Sequence, residues 1–95
     1  MIDVIVTRHP ALTEYLVKIG LAAPGTPVID HVSDPSVLDG RHVAGVLPLH
    51  LASRAASVTE IPLRLTPEDR GKELSLDELV ARAGTAVTYT VRRIP

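Results

Sequence analysis

Cysteine, phenylalanine and tryptophan are absent from the 95 residues, and only two tyrosines are present. The absence of cysteine excludes disulfides, thiolate nucleophiles and cysteine-based metal sites. With so few aromatic side chains, the bases of a single-stranded nucleic acid have almost no surface on which to stack. These classes of function are disfavoured before any motif is considered.

The sequence also lacks a strong charge and a long apolar run. A formal net charge of −1 at pH 7 disfavours a long nucleic acid as partner, because duplex affinity comes largely from many basic contacts. No apolar run approaches the roughly 20 residues of a membrane-spanning helix, and Asp3 interrupts the N-terminus too early for a signal peptide. We therefore predict a cytoplasmic protein without a membrane partner, folded as one domain over residues 1–95.

The order of the apolar segments predicts an α/β fold. Strands are predicted at about 2–7, 28–32, 42–47, 58–65 and 86–94, and helices at 10–19, 48–56 and 76–83. Strands that alternate with helices are typical of a parallel sheet, and the regular alternation of the last strand favours an edge or antiparallel position. We predict a Rossmann-like sandwich with a mainly parallel sheet of about five strands and three main helices.

The three helix starts differ in how their backbone N–H groups are satisfied. Ser75 and Glu78 have the spacing of a capping box. The other two helices begin at Pro10 and Pro48 with no capping side chain directly before the proline, which leaves N–H groups free for water or a ligand. Both helices follow strands that look central, so their first turns should meet at the ligand-binding edge of the sheet.

The segment Thr7-Arg8-His9 directly follows the first apolar strand. Arg8 could supply a fixed cation for a phosphate, and His9 an imidazole able to transfer a proton near neutral pH. The alternative is that Arg8 is a solvated charge and His9 only occupies the position before the helix.

Other candidates lie at the second helix and in the charged segment before the third. His50 falls in the first turn of the second helix, next to Pro48, and Arg70 and Lys72 lie among acidic residues. Surface residues without function explain both sets nearly as well, and His31 and His42 are interpreted as structural. The histidines show no i, i+4 pair, so we predict no metal site and no cofactor.

A cation and an imidazole without a thiol suit metal-free RNA cleavage. In that reaction the ribose 2′-hydroxyl attacks the neighbouring phosphate. The protein orients the nucleotide, stabilises the phosphorane and protonates the 5′-oxygen.

Three segments of the chain resemble small CRISPR-associated accessory proteins of type III systems. They are the strand that ends in Arg8-His9-Pro10, the segment 45–52 (GVLPLHLA) and the segment 70–75 (RGKELS). The last is also similar to the end of viral anti-CRISPR ring nucleases. The three segments occur in the expected order over nearly the whole chain.

The resemblance implies a homodimer that binds cyclic tetra-adenylate across its two-fold axis. It also implies metal-independent cleavage of this second messenger to linear products with 2′,3′-cyclic phosphate ends, which switches off type III CRISPR signalling. Arg8 and His9 would then lie at the scissile phosphate. The ligand would be bound by Thr7, Pro48, His50, Arg70 and Lys72. The family pattern often has Asn at the position of His50, so His9 is the preferred general acid.

Three alternatives remain open at the level of sequence. The same pocket could sequester the cyclic nucleotide without cutting it. A phosphohistidine-type phosphatase also begins with strand-Arg-His, but Pro10 stands where that motif has glycine. A structural dimer or toxin–antitoxin partner would bind no small ligand.

Overall fold

A computed structural model describes residues 1–95 and contains five strands and three α-helices. The strands are β1 (Val4–Val6), β2 (Val28–Ile29), β3 (His42–Gly45), β4 (Ser57–Glu60) and β5 (Val87–Tyr89). The helices are α1 (Pro10–Lys18), α2 (Leu49–Ala52) and α3 (Leu76–Arg82). Two short 3-10 helices lie at Pro35–Leu38 and Pro67–Asp69.

The strands form one sheet in the order β2-β1-β3-β4-β5. β1 pairs in parallel with both β2 and β3, β3 pairs in parallel with β4, and β5 is antiparallel to β4 at the edge. The predicted α/β fold, with about five mostly parallel strands and three helices, is therefore confirmed. This strand order is one of the two common doubly wound arrangements.

Apolar side chains cover both faces of the sheet. In β1, Ile5 packs with Leu16 of α1 in one cluster, while Val4 packs with Val43 and with Ala52 of α2 in the other. This division follows from the two-residue period of a strand, which sends consecutive side chains to opposite faces. The continuously apolar sequence of β1 thus reflects a strand buried on both sides.

Two helix ends follow the sequence signals closely. α1 begins at Pro10 and is followed by Gly20 at φ +81°, a left-handed conformation in which glycine has no Cβ penalty. At α3, Glu78 N–H donates to Ser75 Oγ at 3.2 Å and Ser75 N–H donates to Glu78 Oε1 at 3.1 Å. The predicted capping box is confirmed. No helix combines the length and apolar character needed to cross a bilayer.

Other elements are shorter than their sequence patterns predict. α2 contains only four residues, and Pro48 precedes the helix instead of opening it. β4 ends at Glu60 because Pro62 cannot donate to a sheet ladder. The chain beyond it pairs with the end of α3, where Gly84 N donates to Pro62 O at 2.7 Å and Arg64 N donates to Arg82 O at 2.9 Å.

Candidate functional site

The turn between β1 and α1 is fixed by its own polar groups. The backbone N–H of His9 donates to Thr7 Oγ1 at 3.0 Å, and His9 O accepts from Leu12 N at 3.0 Å. Arg8 Nε donates to the carbonyl of Asp30, beyond β2, at 3.4 Å. The His9 imidazole is exposed and has no hydrogen-bond partner in the protein. The turn therefore presents a guanidinium and a free imidazole at the carboxyl end of the central strands.

Gly45 lets β3 approach β1 closely at this edge. It has φ +136°, and a Cβ placed on it would lie 2.3 Å from the carbonyl oxygen of Val6. A side chain at this position would push the two strand ends apart. The sequence signal was a glycine at the end of an apolar strand, which often marks a close approach of backbones.

A cleft of about 910 Å³ opens at these strand ends. It lies where β2 and β3 flank β1 on opposite sides, which is the point of a doubly wound sheet at which ligands bind. The turn residues Thr7, Arg8 and His9 line one part of the cleft. Aliphatic side chains, including Leu12, Ile61 and Leu63, form much of the rest.

Residues 66–74, which we call the charged loop, form another wall of the cleft. Arg70 and Lys72 of this loop line the cleft together with Asp69 and Glu73. Arg70 makes no ion pair or hydrogen bond through its side chain, whereas Lys72 pairs with Glu78 of α3. Residues about sixty positions apart in the chain thus converge on one cavity.

Two carboxylates near the charged loop are held ionised by their partners. Hydrogen bonds from the Arg82 side chain and the Thr66 backbone lower the pKa of Asp69 from 3.8 to about 2. Hydrogen bonds from Lys72 and from the Ser75 backbone lower the pKa of Glu78 from 4.5 to about 2. Asp69 therefore forms its ion pair with Arg82. The guanidinium groups of Arg8 and Arg70 have no carboxylate within 4 Å.

The structure brings five of the seven predicted site residues into the cleft. These are Thr7, Arg8, His9, Arg70 and Lys72. Pro48 and His50 lie outside its lining, although both are exposed. His50 is in the first turn of α2. The cation nearest to it in sequence, Arg54, forms a bidentate ion pair with Asp39 at 2.8 and 3.0 Å. The structure brings no three metal-ligating side chains together.

A family model described as "Putative CRISPR-associated protein (Cas_VVA1548)" matches residues 4–92. The match includes all five strands, all three helices and the entire cleft lining. The chain belongs to this family. No curated protein and no solved structure matches it. The predicted relationship to small CRISPR-associated proteins is therefore confirmed at the level of the family.

Asp69 lines the cleft of this CRISPR-associated protein but was not among the predicted site residues. The charge run around Asp69 suggested a solvated surface, yet the Asp69 side chain is only 2% exposed. A signal was present, because Thr66 and Asp69 are three residues apart, the spacing at which a threonine and an acidic residue cap a helical turn. Thr66 N and Thr66 Oγ1 both donate to Asp69 Oδ2, at 3.0 and 3.1 Å.

Proposed function

We propose that this CRISPR-associated protein is a metal-independent ring nuclease that binds and cleaves cyclic tetra-adenylate. The observation that carries the proposal is the convergence of Arg8 and His9 with Arg70 and Lys72 in one cleft. Membership of a CRISPR-associated family and the resemblance of the three segments to type III accessory proteins support this ligand. Cleavage would end type III signalling by destroying its second messenger.

The proposed reaction needs only groups that the chain supplies. The ribose 2′-oxygen forms a bond to the adjacent phosphorus and loses its proton to solvent, while the bond from phosphorus to the 5′-oxygen breaks. Arg8 stabilises the charge that builds on the phosphorane, while Arg70 and Lys72 bind the phosphates of the ligand. His9 protonates the departing 5′-oxygen. The products are linear adenylates with a 2′,3′-cyclic phosphate at one end.

The aliphatic lining of the cleft suits the bases of such a ligand. Leu12, Ile61 and Leu63 provide apolar surface for adenine without an aromatic stacking partner. Affinity would then come mainly from phosphate contacts with the cations. We therefore expect binding to weaken steeply as salt is added.

The proposal includes a homodimer with the ligand across its two-fold axis. Val46, which lines the cleft, and Leu49, the first residue of α2, are 77% and 75% exposed. Exposed aliphatic side chains at this place suit an interface between two copies. Light scattering of the purified protein would give the mass of two chains, and Leu49→Glu would reduce it to one. A wild-type mass of one chain would contradict the dimer.

The function is tested by incubating the purified protein with cyclic tetra-adenylate, with and without EDTA, and separating the products by chromatography. Linear products that persist in EDTA support a metal-independent ring nuclease. Intact ligand that comigrates with the protein would identify a binding module that sequesters the messenger. Intact ligand that does not bind would overturn the proposal.

A further inference from the structure

The charged loop has little regular structure although it forms a wall of the cleft. Only Pro67–Asp69 is helical, as a single 3-10 turn. Loops without a backbone ladder are mobile unless side chains fix them. The position of Arg70 and Lys72 therefore depends on what holds this loop to the rest of the protein.

Asp69 is the only buried charged residue of the protein. Its Oδ2 atom accepts three hydrogen bonds, from Arg82 Nε at 2.6 Å, Thr66 N at 3.0 Å and Thr66 Oγ1 at 3.1 Å. A buried carboxylate without partners is unfavourable, so the loop is stable only where these donors are present. These hydrogen bonds also restrain the backbone of the next residue, Arg70, whose side chain lines the cleft.

Arg82 joins this carboxylate to the helix and to the chain before the loop. Its Nη1 atom donates to the carbonyl of Glu78 at 2.9 Å, which orients the guanidinium along α3. Its own carbonyl accepts from Arg64 N at 2.9 Å. One arginine thus holds the chain on the N-terminal side of the loop, at Arg64, and inside the loop, at Asp69.

We propose that Asp69 and Arg82 are positioning residues that hold Arg70 and Lys72 at the cleft before a ligand arrives. Neither residue needs to touch the ligand, because their pairing places the two cations that do. This inference rests on the proposed function for the identity of the anionic ligand. Such preorganisation raises affinity because the ligand does not have to order the loop when it binds.

The direct test measures loop order without any ligand. Hydrogen exchange by mass spectrometry would compare the wild type with Asp69→Asn, which keeps the shape of the side chain and removes its charge. We expect exchange in residues 67–73 to accelerate about ten-fold or more, while exchange in β1 and β3 stays unchanged. Unchanged exchange in the loop would overturn the proposal.

The matched control is Asp39→Asn, which breaks the bidentate pair with Arg54 outside the cleft. It should leave exchange in residues 67–73 at the wild-type rate. If Asp69→Asn lost the wild-type circular dichroism spectrum, Arg82→Lys would decide the question, because it keeps the charge but loses the paired contacts to Asp69 and Glu78. Slow loop exchange in a folded Arg82→Lys would equally overturn the proposal.

The ligand measurement separates positioning from general damage. With cyclic tetra-adenylate, Asp69→Asn should raise KM about ten-fold and change kcat much less. A loss of kcat at unchanged KM would contradict a positioning role. A third result is that the wild type neither binds nor cleaves this ligand while loop exchange still accelerates in Asp69→Asn. Asp69 and Arg82 would then still be shown to order the charged loop, and only the proposed function would be contradicted.

Discussion

His9 is the only histidine that lines the cleft. His9→Ala should reduce cleavage of cyclic tetra-adenylate by about 100-fold or more, because it removes the general acid. Binding of the intact ligand should be largely retained. His31→Ala is the matched control, since His31 is also exposed but lies outside the cleft. Cleavage by His9→Ala at the wild-type rate would exclude the mechanism proposed here.

Arg8 differs from His9 because its charge serves both the bound ligand and the phosphorane. Arg8→Ala should weaken ligand binding about ten-fold and also lower the rate at saturating ligand. Isothermal titration and product chromatography measure the two effects separately. Arg92→Ala removes the same charge from an exposed residue outside the cleft and should change neither. Wild-type affinity in Arg8→Ala would show that Arg8 does not contact the phosphate.

Gly45 is required for the close approach of β3 to β1 and not for the chemistry of the site. Gly45→Ala would place a Cβ 2.3 Å from Val6 O at φ +136°, so we expect a loss of about 3 kcal/mol in the free energy of unfolding. Gly25→Ala is the control, because Gly25 also has positive φ but open space around it, and it should cost about 1 kcal/mol. Urea denaturation measures both, and equal losses would contradict the steric explanation.

At the scale of the elements, boundaries that depend on adjacent residues were predicted better than boundaries that depend on tertiary pairing. The start of α1 at Pro10 and the capping box at Ser75 depend on a few adjacent residues, and both were predicted. The early end of β4 was not predicted. Pro62 is the local signal for it, but the pairing of residues 62–64 with residues 82–84 depends on chain about twenty residues away.

The same reason limits what could be predicted of the site. Arg8 and His9 were predicted from their place after a buried strand. The role of Asp69 depends on Arg82, thirteen residues further along, and a charge run with this composition is usually solvated. Pro48 and His50 come shortly after β3, as predicted, yet both lie outside the lining of the cleft. Distances through space, rather than residue types, account for these differences.

The first turn of α3 restrains a cation that lines the cleft. Glu78→Gln should release Lys72 for the phosphates of the ligand and tighten binding of cyclic tetra-adenylate about three-fold at low salt. The gain is small because the pair is only partly shielded from solvent, with side-chain exposures of 48% for Lys72 and 31% for Glu78. The capping box survives, since glutamine can also accept from Ser75 N–H.

Asp77→Asn provides the matched control for this change. It removes one negative charge from the same helical turn, but Asp77 makes no ion pair or hydrogen bond with Lys72. Its affinity for the ligand should stay near that of the wild type when measured at the same ionic strength. Weaker binding by Glu78→Gln would show that the ion pair supports the site instead of competing with the ligand.

At the scale of the whole molecule, the ion pairs of the charged loop and α3 predict a specific loss of stability in acid. Asp69 and Glu78 both titrate at about 2 in the folded protein, against ordinary values of 3.8 and 4.5. The unfolded chain therefore binds these protons more readily. The stabilisation from both groups is fully present above about pH 4.5 and is lost as the pH falls towards 2.

Urea denaturation across this range should show a constant unfolding free energy near neutral pH and a steep fall below pH 4.5. The double variant Asp69→Asn/Glu78→Gln should be less stable at neutral pH but lose less stability on acidification, since neither position can then bind the extra proton. Some slope must remain, because Ser36 and Arg54 lower the pKa values of Asp34 and Asp39, respectively. An unchanged slope in the double variant would show that the acid sensitivity of the molecule originates outside the charged loop and α3. The pair of Asp69 and Arg82 would then contribute little to global stability, and its effect would be confined to the order of the charged loop.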